Sequence, residues 1–456
     1  MNDEVGIIEL KILDRWGDAN RAALAAVERV NLAGTPSDAD VARIDLLRAL
    51  EEVKNIATAL QAVTAVAFAR SQRAEQARQG VPADQLGRGV AEQVALARRE
   101  SPHRGGVFLG VASILVLEMP HTLHAMATGV LTEHRAQLLV HETACVSREV
   151  RGEVDEAVAG DLDRLERLGT RRLVHLVRAE TYRRDPESSV GRLAYAASQR
   201  FVAVRPAPDC MVRLTALLPV GQGVAAFAAL SKAADTAHGT GDPRTRAQIM
   251  ADELVIRLTG QTTAEAVPIG LHLILPAEVL LNRRGRHTTG DRTAGERPGV
   301  VLGHGPIPAE LAGDLVVAAP PLRSWIRRLY QAPTGRLVAM ESRRRLFPSG
   351  LAEFITIRDQ ICRTPYCDAP IRHIDHMHPK AAGGPTGAAN GQGLCERCNH
   401  ARQALGWTAH TIVRDLAMEA GVGDRRADRP HEEWGDEVRL TTPTGHRYRS
   451  PAVSGM

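Results

Sequence analysis

Residues 362–400 read CRTPYCDAPIRHIDHMHPKAAGGPTGAANGQGLCERCNH, and every other part of the chain takes its meaning from them. Four of the six cysteines lie here, as Cys362-x4-Cys367 and Cys395-x2-Cys398. Two such knuckles facing each other across a loop build a closed tetrahedral zinc site, because thiolates suit a borderline-soft cation. The loop between them is short and polar, so it buries little apolar surface and the metal replaces the missing core. The spacing favours structural Zn2+ over disulfides or free thiols.

Zinc leaves several residues unexplained. Four thiolates satisfy a structural site, so Asp375, His376, Asn390 and Asn399 are not needed as its ligands. An Asp-His pair, a loop Asn, and an Asn or His at the start of a helix suit a second, harder metal and a water-activating base. The order Asp375-His376, Gly383-Gly384, Asn390, Leu394-Cys395, Cys398-Asn399 resembles the HNH endonucleases, whose ββα-metal core is a hairpin followed by one helix. The resemblance implies His376 as general base, using an imidazole that titrates near neutrality. It implies Asp375 as oxygen ligand for Mg2+ or Mn2+. Asn399 is its second ligand, with His400 as the alternative, since successive helical residues point about 100 degrees apart. Asn390 pins the loop and orients His376. His378, in strand register with His376, is a candidate phosphate contact.

At 456 residues the length prior is two or three domains. Apolar residues make up 44%, ample for a core, while aromatics are only 3%, too few for a platform stacking single-stranded bases. The net charge is +4, compatible with nucleic acid without indicating it. Only four of the 57 basic residues are lysines, so any phosphate contacts are arginine forks. The acidic start, MNDEVGIIELK, has no signal-peptide character, and the longest apolar run, Val107 to Leu117, is too short to span a bilayer. Cys145 and Cys210 stand alone and read as inert buried thiols. A reducing, cytoplasmic setting is expected, with no membrane association.

Residues 1–36 form an N-terminal extension to a helical domain over 37–199. Residues 38–79 predict one long helix, capped by Ser37, closed by Gly80, with an apolar stripe at Leu46, Leu47, Leu50, Val53 and Ile56. Helices over 88–100 and 102–117 flank a Ser101-Pro102 cap and permit a helix-turn-helix reading, although bundles repeat that pattern. Thr132 and Thr170 read as N-caps. From Arg200 the period changes to two: strands at 201–204 and 211–215, helices near 220–236 and 243–259, and a strand at 269–275 form a small α+β subdomain over 200–346. Its arginine-rich segments, 283–299 and 321–346, end in Arg343, Arg344 and Arg345, a candidate nucleic-acid contact. The nuclease module spans 347–408. In the tail, 409–456, Val438 to Thr441 and His446 to Arg449 can pair as a hairpin.

The layout resembles the HNH proteins of GC-rich actinobacteria that carry domain of unknown function 222, the 13E12-repeat family. The carrying residues are Val90 to Ala97, Leu217-Leu218-Pro219, Asp242-Pro243-Arg244, Gly303 to Pro308 and Thr444 to Tyr448. Where relatives carry His at the positions of Cys398 and Asn399, this chain has an all-cysteine clamp, with His400 one step beyond. The expected fold is mainly α with a small α+β subdomain, a helical N-terminal domain preceding a zinc-stapled ββα-metal module. The expected function is metal-dependent cleavage of double-stranded DNA, with room for a homo-oligomer built through the helical domain. The alternative is a catalytically inactive, zinc-stapled DNA-binding or interaction protein on a degenerate HNH fold.

Overall fold

A computed structural model describes residues 2–263, 273–274, 299–301, 305–318, 341–342, 346–412, 433–434, 437–450 and 453–454. It begins with two long antiparallel helices, α1 (Asn2–Leu32) and α2 (Pro36–Arg78). The Thr64 hydroxyl donates to Glu9 at 3.1 Å at one end, and Arg29 faces Asp45 at the other. The segment read as an extension is therefore a helix lying along α2. Thr35, not Ser37, caps α2, accepting from the Asp38 amide at 3.2 Å with Pro36 in the first turn. The expected stripe is only partly core. Ile56 is buried, but Leu47 and Leu50 are 63% and 49% exposed, because the buried cluster starts at Ile56 and the outer end of α2 pairs with α1.

The principal core gathers α2 with α4 (Pro102–Glu118), α5 (Pro120–Ala127), α6 (Glu133–Glu142), α7 (Arg148–Ala159), α8 (Leu162–Glu166) and α9 (Thr170–Arg184), following the short α3 (Val90–Ala97). Leu115, Met126, Leu139, Leu165 and Leu173 interlock there, fully buried. Ser101 and Thr132 cap α4 and α6 as their sequence positions predict. Thr170 is instead the first residue of α9, with Gly169 before it. Helix α5 has no cap of its own. Asp155 on α7 supplies one, accepting from the His121 and Thr122 amides at 2.7 and 2.9 Å, which satisfies donors the helix start leaves open. Among the described residues no single helix is long and apolar enough to cross a membrane, and Val107 to Leu117 lies within α4.

After α10 (Pro186–Ser198), strands β1 (Phe201–Ala207) and β2 (Met211–Leu217) form a hairpin. Asp209 and Cys210 both have positive φ, 60° and 58°, as a turn matching strand twist requires. Cys210 is thus a half-buried turn residue, and Cys145 sits half-buried in the turn after α6. Neither is the buried thiol expected. Two helices follow, α11 (Val220–Gly239) and α12 (Arg246–Thr259), the latter with a full capping box at Thr245 and Gln248. Beyond them come β3 (Leu273–Ile274), β4 (Gly299–Val301), β5 (Gly305–Ile307) and α13 (Ala309–Ala318), with β3, β4 and β5 in one antiparallel sheet. Of the strand expected over 269–275, only 273–274 fall among the described residues. The expected loop 283–299 (except Gly299) and Arg343, Arg344 and Arg345 fall outside them.

Strand β6 (Glu341–Ser342) and helix α14 (Ser349–Asp359) precede the cysteine knuckle. Strands β7 (His373–His376) and β9 (Gly391–Leu394) then pair antiparallel, with Asp375 opposite Gln392 and His376 opposite Gly391. Between them β8 (Thr386–Gly387) pairs with β6. Helix α15 (Glu396–Arg402) follows at once, so the order is strand, strand, helix. Strand β10 (Thr408–Ile412) joins a sheet that the sequence did not announce. Past β11 (Glu433–Trp434), β12 (Glu437–Thr441) pairs with both β10 and β13 (Arg447–Ser450), and β12 with β13 is the expected hairpin.

Candidate active site

The two knuckles converge. The four sulfurs of Cys362, Cys367, Cys395 and Cys398 lie within 4.8 Å of one another, and all four residues are buried. Sulfurs 2.3 Å from a tetrahedral zinc stand about 3.8 Å apart. Cys367 and Cys395 are 3.7 Å apart. Cys395 also caps α15, its sulfur accepting from the Cys398 amide at 3.4 Å. Hydrogen bonding with Cys367 lowers the Cys362 thiol, and bonding with Cys362 lowers Cys395 while raising Cys367 and Cys398. The donor set and its spacing fit structural zinc.

Asp375 and His376 are neighbours on β7 and so point to opposite faces. His376 is nearly buried beneath the Phe347 ring, with centroids 4.4 Å apart. Its Nε2 lies 2.9 Å from the Thr386 hydroxyl, and its Nδ1 has no hydrogen-bond partner among the described residues. Burial pushes its pKa below the ordinary 6.5. Asp375 opposes that shift and Lys380 adds to it. At neutral pH the ring is uncharged and able to accept a proton. Gly391, across the ladder, leaves the room this arrangement uses: a Cβ there would meet Ile355 at 2.4 Å and Phe347 at 2.8 Å.

Asp375 faces α15. The Arg402 guanidinium approaches it at 3.8 Å and donates to the Met377 carbonyl at 3.0 Å. One turn earlier, Asn399 is half-buried, and its Oδ1 is a buried acceptor with no donor among the described residues. An unpaired buried acceptor costs about 1–3 kcal/mol, a cost that a bound hard cation would offset. His400 is exposed, its ring 6.3 Å from that of His373.

Asn390 ties the connecting loop together. Its Oδ1 accepts from the His378 amide at 2.8 Å, while Nδ2 donates to the carbonyls of His378 and Pro385 at 3.0 and 2.8 Å. The loop closes so tightly that a Cβ on Gly384 would stand 2.0 Å from the His378 carbonyl oxygen. Strand β7 ends at His376, so His378 lies in the exposed bend beyond it and not in the strand register expected. Four contributors escaped the sequence reading: Phe347, Thr386, Arg402 and the Arg358-Asp359 pair. Asp359, fully buried, accepts from the Gly393 amide at 2.7 Å, and Arg358 donates to the carbonyls of Ala388 and Gly391, both at 2.7 Å. Only Arg402 carries a sequence signal, its i+3 helical spacing from Asn399.

A model of an HNH endonuclease domain matches residues 361–404. A model of a domain of unknown function, DUF222, matches residues 47–359, more than half of the chain. The chain belongs to the DUF222 family. Two uncharacterized proteins of Mycobacterium tuberculosis, MT2160 of strain CDC 1551 and Rv2100 of strain H37Rv, are each 28% identical over 255 residues, covering 47% of this chain. The chain spans about two fifths of their length: 42% of each is covered. No solved structure matches.

The DUF222 match runs through α14, yet Leu351 and Ile355 of α14 pack with Ala388 and Ile374 under the nuclease hairpin. The DUF222 helices also brace the module from the other side. Glu92 on α3 accepts from Arg397 on α15 at 2.7 Å, and Gln93 accepts from Thr444 at 2.9 Å. Leu96 joins Met377, Trp407, Ala409, Val438 and Leu440 in one apolar cluster. Val94 of the same helix packs the other way, with Ala62, Val66, Phe108 and Ala112 of the helical domain.

Proposed function

We propose that this DUF222 protein is a metal-dependent DNA endonuclease of HNH type that hydrolyses phosphodiester bonds in duplex DNA. The observation that carries the reading is the pairing of a neutral, anchored His376 at the end of β7 with an unpaired Asn399 Oδ1 on the helix that faces Asp375. Asp375 and Asn399 would hold Mg2+ or Mn2+, and His400, exposed beside His373, is the weaker candidate. That cation would supply charge neutralisation on the scissile phosphate and the leaving 3′-oxygen. His376 takes a proton from the attacking water at Nδ1. Asn390 holds the bend after β7 so that the ring keeps its place. The zinc staple keeps α15 against the hairpin. The expected DNA contacts include His378 in the exposed bend and Arg343, Arg344 and Arg345 just before the module. The setting we propose is the cytoplasm.

One observation favours a second reading. Arg402, nearly buried, already places a cation 3.8 Å from Asp375, as a degenerate nuclease fold kept for DNA binding would do. Supercoiled plasmid, incubated with Mg2+, Mn2+ or EDTA beside His376→Ala, separates the two. The nuclease reading expects nicking by the wild type alone, abolished by EDTA. Duplex binding by both proteins without cleavage would establish the degenerate module.

A further inference from the structure

We infer that Thr386 is a positioning residue for His376, fixing which imidazole nitrogen is left to take the proton; the inference rests on the nuclease reading above. Thr386 is 1% exposed and its hydroxyl lies 2.9 Å from His376 Nε2. A neutral imidazole carries one N–H, and a hydroxyl can accept it. Donation from Nε2 to the Thr386 hydroxyl leaves the Nδ1 lone pair free, and Nδ1 is the nitrogen without a partner among the described residues.

The hydroxyl is itself well placed for this task. Its residue pairs with Ser342 in the β6–β8 ladder, and the preceding carbonyl, of Pro385, accepts from Asn390 at 2.8 Å. Asn390 therefore reaches His376 through Thr386: it locks the backbone from which the hydroxyl projects. The Phe347 ring, tilted by 40°, limits how the imidazole swings but has no polar atom with which to select a tautomer. A hydroxyl, unlike a carboxylate, orients the ring without adding a charge to it. The chain thus fixes the base's orientation separately from its charge, and among the described residues the carboxylate acting on His376 is that of Asp375, its strand neighbour.

The test uses the full chain as wild type, Thr386→Val, Thr386→Ser and His376→Ala. Valine keeps the buried volume and removes the acceptor, while serine keeps the acceptor. Plasmid cleavage by Thr386→Val should lose about 10- to 100-fold in kcat, the range for residues that orient an active group, with KM for DNA unchanged. Thr386→Ser should recover most of the rate. In 15N spectra of selectively labelled protein, His376 should show the Nε2–H tautomer in wild type and in Thr386→Ser, and a mixture in Thr386→Val. Valine and serine variants that are equally slow would reduce Thr386 to a packing role and overturn the inference. An unchanged tautomer in Thr386→Val would also overturn it, whether or not the protein cleaves. A wild type that cleaves no plasmid sinks the nuclease reading instead, and the spectra still decide the Thr386 contact.

Discussion

The helical region and the nuclease module are held together by different physics. Between α1 and α9 a continuous cluster of leucine, alanine, valine, isoleucine and methionine excludes water over many side chains. Within 346–412 the apolar clusters are small: Leu351, Ile355 and Ala388 with their neighbours, the residues around the four cysteines, and Met377, Trp407 and Ala409, which pack with Leu96, Val438 and Leu440 from outside that range. There, point contacts replace area: the sulfur cluster, the Asp359 carboxylate and the Asn390 amide. A region held by area tolerates the loss of one contact. A region held by a few directed contacts keeps side chains in fixed places, as a catalytic site requires, and fails when one is removed.

Metal removal should separate the two regions most widely. Structural zinc contributes on the order of 10 kcal/mol in small metal-bound domains. A strong chelator, or Cys398→Ser, should therefore unfold the module while circular dichroism keeps most of its helical signal. Coincident loss of both would show that the helical region depends on the module for its own fold. Next in size, Leu165→Ala, at a fully buried core site, should cost about 2–5 kcal/mol in denaturant unfolding of the helical region and leave zinc content at one per chain.

A smaller effect follows from His376. Its pKa is lowered in the folded state, so the unfolded chain binds more protons around pH 6. The stability it contributes is complete above the ordinary 6.5 and is lost as pH falls through that value toward the folded one. Cleavage should rise with pH on the acid side and level off by neutrality. A pH-rate midpoint above 7 would contradict a buried, neutral base. The smallest effect lies where the regions meet. The Glu92–Arg397 pair is partly exposed, so Glu92→Gln should cost less than about 1 kcal/mol. A loss several-fold larger would mean that the helical region governs the position of α15.

The same contrast explains what could be read from the sequence. Cysteine spacing announces a sulfur cluster because a tetrahedral ion constrains separations along the chain, and the order Asp375, His376, Asn390, Asn399 is local enough to be seen. Helix periodicity located α2 and α4, and capping chemistry located Ser101 and Thr132. It could not say that α1 would cover α2 and leave Leu47 exposed, because which face meets which partner is settled by tertiary packing. Phe347 and Thr386 escaped for a related reason. They touch His376 from 29 and 10 residues away, and neither is marked by charge or metal affinity. Asn399 and His400 are adjacent in sequence and differ only in where the folded helix leaves them, one half-buried with an unpaired oxygen, the other exposed beside His373.

The proposed chemistry gives two metals two roles on one short module, one stapling it and one serving the reaction. It is tested most directly by titrating Mg2+ into protein that carries one zinc per chain and has been freed of loosely held metal, with supercoiled plasmid as substrate and His376→Ala in parallel. No cleavage is expected before Mg2+ is added, with nicking that rises with Mg2+ at constant zinc content and a rate at least about 100-fold lower in His376→Ala at every concentration. Cleavage by the zinc-only protein, or equal rates from wild type and His376→Ala, would contradict it.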